Sequence, residues 1–121
     1  MRQATGGKQP NGAARFTLDL IRGRWKIPIL RELMSGPRRT GQLVRALRGV
    51  SKNRLNDSLR KLERAGLIRR SSRAGRKPRV ENELTRLGRT LRPVVEALSR
   101  WGSKNRLKVE SARVSGPRGK S

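Results

Sequence analysis

Residues 40–66 read TGQLVRALRGVSKNRLNDSLRKLERAG, from Thr40 to Gly66, and carry two consecutive helical patterns. Leu43, Val44 and Leu47 recur at i, i+1 and i+4 behind Thr40, which predicts a short amphipathic helix capped by Thr40 and ended by Gly49. Ser51 then caps a second pattern with Leu55, Leu59 and Leu62 at i, i+4 and i+7, and Ala65-Gly66 stops it. Lys52, Asn53, Asn56, Asp57, Arg60 and Lys61 take the other sides of that helix. Two helices joined by a glycine-containing turn, the second with a polar outward face, form the arrangement that slots its second helix into a major groove.

N-terminal to this pair, Trp25 to Met34 carries Ile27, Ile29, Leu30, Leu33 and Met34 around most of its circumference and closes at Ser35-Gly36-Pro37, which predicts a buried central helix. Pro28 falls in its first turn, where the missing amide hydrogen matters little. Thr17 to Arg22 predicts a short first helix capped by Thr17 and stopped by Gly23. On the other side, Leu67–Arg70 and Val80–Leu84 read as two strands around a tip, Ser71 to Arg79, that carries Arg73, Arg76, Lys77 and Arg79 and no acid. Leu84, Leu87, Leu91, Val94, Leu98 and Trp101 follow at alternating steps of three and four, the seam spacing of a coiled coil that wants a partner helix. Pro93 should bend or interrupt that last helix. The expected organisation is a basic disordered tail over 1–14, one domain over 15–103 with a dimerisation helix at about 85–103, and a second basic tail over 104–121.

Lys and Arg number 32 against 8 Asp and Glu, a net charge of +24. Two of those charges fall in residues 1–14 and five in 104–121, so seventeen belong to the part expected to fold. A polyanion is the natural partner, and nucleic acid the natural polyanion. The same balance suits a ribosomal protein, a nucleoid packer or an anionic membrane surface, so charge sets a class and nothing finer. The sequence has no Cys and no His, which removes disulfides, thiolate chemistry, the commonest general base and the commonest metal ligand. With eight acids and no phosphate-binding glycine motif beside them, an enzyme is the weakest reading, and no cofactor is expected. No apolar run is long enough to span a bilayer and none resembles a signal peptide, so no membrane partner and a cytoplasmic protein are expected.

From about Leu18 to Trp101 the residues resemble the HxlR-type family of bacterial winged helix-turn-helix regulators. The landmarks come in order: Arg24-Trp25-Lys26 with Ile29 to Leu33; Gly36-Pro37-Arg38-Arg39; Gly49-Val50-Ser51 leading through the three leucines to Glu63–Arg70; Lys77–Glu81; then Leu84-Thr85, Gly88, Leu91, Pro93, Leu98 and Trp101. The resemblance implies a mainly α fold with a small β-hairpin wing, dimerising through its terminal helices. It also shows departures. The family usually has a Cys near its N-terminal end, and this sequence has none. Thr40 stands where a Phe is typical, Gln42 where an acid is, and Asn82 where a Tyr is common, so looser packing around the third helix and a missing aromatic contact between wing and core are expected.

The expected function is sequence-specific binding of double-stranded DNA by a homodimeric transcriptional regulator on a pseudo-palindromic site; nonspecific nucleic-acid binding is the alternative. Lys52, Asn53, Asn56 and Asp57 are the candidate base readers, because Asn pairs with adenine and Lys reaches guanine acceptors, with Asp57 more suited to bracing a neighbouring Arg. Arg38, Arg39, Thr40, Ser51, Arg54 and Arg60 are the candidate phosphate contacts, and Arg73, Arg76, Lys77 and Arg79 those of the wing. A solvated polar face and a loop kept soluble by charge are the plain alternatives for these two sets. Leu87, Leu91, Val94, Leu98 and Trp101 form the candidate dimer interface, and Trp25 and Trp101 read as packing residues. No small-molecule effector is legible.

Overall fold

A computed structural model describes residues 12–73 and 79–115. The chain divides into two compact units, Met1–Arg89 and Thr90–Ser121, described separately below. The first contains α1 (Gly12–Ile21), α2 (Lys26–Leu33), β1 (Arg38–Arg39), α3 (Thr40–Ala46), α4 (Lys52–Arg64), β2 (Ile68–Arg73), β3 (Arg79–Leu84) and α5 (Arg86–Arg89); the second is the single helix α6 (Arg92–Ser115).

Apolar side chains from α1, α2, α3 and α4 converge on one core. Ile21, Ile29, Leu30, Leu33, Leu43, Leu55, Leu59 and Leu62 are all buried, joined by Leu67, Ile68 and Leu84 from the hairpin. Each such side chain contributes about 1.5–3 kcal/mol on burial, and three of them in a row along α4 fix which side of that helix turns outward. Ser51 starts α4 as expected: its hydroxyl accepts from the Arg54 amide at 3.1 Å. At the other end Gly66 takes φ +78°, a left-handed conformation that side chains disfavour, and the chain turns into β2. Ser51→Ala is expected to lower stability by about 1 kcal/mol, read as a shift in the denaturant midpoint with an unchanged m-value.

Four parts of the fold differ from what the sequence leads one to expect. The first helix begins at Gly12, not Thr17. Ala13, Ala14 and Arg15 are good helix formers, and the Thr17 hydroxyl bonds back to the Ala13 carbonyl at 3.0 Å instead of capping. Thr40 is the first residue of α3 and not its cap; Arg39 holds that position, and Gln42 Oε1 accepts from the Arg39 amide at 2.8 Å. The sheet has three strands in the order β1-β3-β2, all antiparallel, where two were expected. Its hairpin also runs farther, because Ser71, Ser72 and Arg73 continue the ladder as far as Arg73 opposite Arg79. Residues 74–78, including Arg76 and Lys77, lie outside the described residues.

The fourth difference concerns α6, which extends through Ser115, so residues 104–115 are helical where a tail was expected. Their Lys, Arg, Leu, Glu and Ala content has ample helix propensity even without an apolar stripe. The terminal pattern is interrupted before Pro93: α5 ends at Arg89, and Pro93 occupies the second position of α6, inside the first turn, where a proline removes no helical hydrogen bond. In α6, Val94 is half-buried, while Leu98 and Trp101 are 42% and 61% exposed.

Candidate nucleic-acid interface

With about 3.6 residues per turn, α4 sets Asn53, Asp57, Arg60 and Arg64 opposite its three buried leucines, and all four are exposed. Lys52 and Asn56 lie on one flank and Arg54 on the other; Asn56 is half-buried, and Lys52 and Arg54 are exposed. Asp57 pairs with Lys61 through Nζ–Oδ2 at 3.2 Å, so its brace is a lysine one turn on and not an arginine. Both partners of that pair are more than half exposed, and an ion pair so placed adds little stability. Lys26, at the start of α2, donates through Nζ to the Leu20 carbonyl at 3.2 Å. Its ammonium pKa is lowered by partial burial and then by the Lys61 charge, against a smaller opposing pull from Asp57.

On the Lys52 flank an open cleft of about 510 Å³ lies between α4, α3 and the hairpin, lined by Arg39, Thr40, Arg45, Lys52, Asn56 and Arg70 among others. Four of these are cations, and among the described residues no carboxylate lines the cleft. The phosphate candidates thus divide. Arg39, Thr40 and Lys52 come together in the cleft. Arg38 instead sits in β1, with Nη1 donating to the Pro37 carbonyl at 3.1 Å. Arg54 lies on the opposite flank, with Arg24 and Trp25, and Ser51 serves as the cap.

Arg45 and Arg70 were not among the sequence candidates. The signal for Arg70 lay in the strand alternation: Ile68 and Leu84 face inward as a cross-strand pair, so Arg70 and Asn82, the next inward pair, place two polar residues on the core side. On the opposite face Arg69 and Glu83 form an ion pair at 2.6 Å. The absent wing–core aromatic is replaced by polar contacts: Asn82 Nδ2 donates to Thr40 Oγ1 at 3.3 Å, joining two of the departing positions.

A helix-turn-helix followed by a β2–β3 hairpin, whose sheet β1 completes from the N-terminal side, together with a matching family profile over residues 20–110, settles the family. The chain belongs to the HxlR-like helix-turn-helix family. Among related proteins, an HTH-type transcriptional regulator of Synechocystis is 46% identical over 86 residues, covering 71% of this chain and 64% of its own length. The HTH-type transcriptional regulator YybR of Bacillus subtilis is 37% identical over 101 residues, covering 84% of this chain and 81% of its own. Among solved structures, the redox regulator HypR in its reduced form superposes with a TM-score of 0.78 at 35% identity, covering 82% of this chain and 98% of that one. This chain contains no cysteine. No helix among the described residues is long and apolar enough to cross a membrane, and no cluster of three or more His, Cys, Asp or Glu side chains among them could hold a metal ion.

Proposed function

We propose that this HxlR-like chain is a transcriptional regulator that binds double-stranded DNA sequence-specifically as a homodimer. The observation that carries the reading is the bare polar face of α4 beside a cleft with four cations and no acid. Phosphates dock on Arg39, Arg45, Lys52 and Arg70 beside one groove wall, while Asn53 and Asn56 meet base edges; Arg60 lies nearer the backbone. Strands β2 and β3 bring the Arg73 and Arg79 positions opposite each other at the wing. Two copies joined through the α6 stripe hold their α4 helices about 34 Å apart, matching successive major grooves on a pseudo-palindromic site.

The charge of +24 favours a second reading, a protein that coats nucleic acid without choosing a sequence. Selection from random duplexes followed by footprinting separates the two. A regulator enriches one motif and protects it; a packer enriches none. On the selected site, Asn53→Ala with Asn56→Ala is expected to reduce affinity roughly 100-fold, toward the level of an unrelated duplex. Equal losses on both duplexes would remove base reading from these residues.

A further inference from the structure

Among the described residues Asn82 is the fully buried polar side chain, and it stands on the central strand opposite both Arg38 and Arg70. A buried amide without partners is strongly disfavoured, and here both of its polar atoms are partnered. Nδ2 donates to the Arg38 carbonyl at 3.0 Å and to Thr40 Oγ1 at 3.3 Å. Oδ1 accepts from Arg70 Nε at 2.8 Å. The same guanidinium reaches on from the sheet to α4, where Nη2 donates to Asn56 Oδ1 at 3.2 Å. One arginine therefore bridges an immovable amide in the sheet to a half-exposed amide on the helix proposed to enter DNA.

We propose that Asn82 and Arg70 are positioning residues for base reading, which hold the Asn56 side chain in a single orientation. An arginine carries donors alone, so the Asn56 atom facing it is the carbonyl oxygen, and Nδ2 is the group left for a base edge. Without that bond the amide rotates freely and loses its preference between base edges that differ in donor and acceptor order. A planar fork is needed for this task, because one guanidinium must serve Asn82 through Nε and Asn56 through Nη2 at once. Lysine offers a single ammonium in its place.

This inference rests on the DNA-reading proposal above, and its test keeps the two apart. The selected site is changed one base pair at a time, and affinity ratios are measured for wild type, Asn56→Ala, Arg70→Lys and the double variant. Any uniform change in affinity cancels in those ratios. Arg70→Lys is expected to relax discrimination roughly tenfold at the base pair relaxed by Asn56→Ala, and to add nothing in the Asn56→Ala background. Should lysine unsettle the hairpin, as judged by a thermal melt, Arg70→Gln is expected to relax the same base pair. An unaltered profile in a folded Arg70 variant, or losses that add to those of Asn56→Ala, overturns the positioning role while base reading stands. A wild type with no preference among duplexes overturns both.

Discussion

Gly88→Ala is expected to lower the stability of the first unit by about 3 kcal/mol or more, a large part of the margin of a small domain. Gly88 lies in α5, where its backbone rests on the chain at Leu67. A Cβ there would be driven into the Leu67 carbonyl oxygen and would stand 3.0 Å from the carbonyl carbon and 3.2 Å from Leu84 Cδ2. The obstacle is backbone, which cannot swing aside as a side chain does. The same carbonyl accepts from the Thr85 amide at 3.0 Å, and the Thr85 hydroxyl donates to the Gly66 carbonyl at 2.6 Å while accepting from the Gly88 amide at 3.0 Å. Pushing α5 outward breaks that set of bonds together. Gly41→Ala, in α3 with nothing within 4 Å of an added Cβ, is the counterpart: it is expected to leave stability unchanged or raise it by about 0.5–1 kcal/mol. Chemical denaturation of the two variants checks the pair, and a Gly88→Ala protein as stable as wild type would mean that α5 does not pack as described.

Leu98→Glu combined with Trp101→Glu is expected to convert the proposed homodimer to monomers and weaken binding to a pseudo-palindromic site by about 100- to 10,000-fold, the range by which tethering a second binding module strengthens the first. Both side chains are exposed on α6, and large apolar groups on one helical stripe gain from a partner surface. A carboxylate at each position makes that burial unfavourable. Leu107 is 77% exposed but lies off the stripe, so Leu107→Glu is expected to leave the mass in solution unaltered. Sedimentation measures assembly and fluorescence anisotropy measures affinity. A double variant that remains dimeric would move the interface elsewhere.

The elements legible from residues alone are those whose signals are local. The Ser51 cap, the leucines at 55, 59 and 62, and the stop at Ala65-Gly66 each act within a turn or two of chain, and α4 is where they place it. The interruption before Pro93 has the same origin. β1 was not legible, because two arginines have no strand signature and become a strand by pairing with Asn82 and Glu81 more than forty residues away. Residues 104–115 carry no local signal that sets them apart from the Ser-Gly-Pro-Arg-Gly-Lys-Ser end, and a charged segment of good helix formers can simply prolong a helix already begun.

The candidate site divides along the same line. Local periodicity alone determined that α4 turns Asn53, Asp57 and Arg60 away from the core, since a helix with one leucine stripe has one outward face. Tertiary structure decided that Arg39, Arg45, Lys52 and Arg70, drawn from four separate elements, share one cleft, and that Asn82 ties Thr40 to Arg70 and through it to Asn56. The physical reason is range: periodicity and capping act over a few residues, whereas a buried amide must find donors and acceptors wherever the folded chain brings them, here across 12 to 44 residues of sequence.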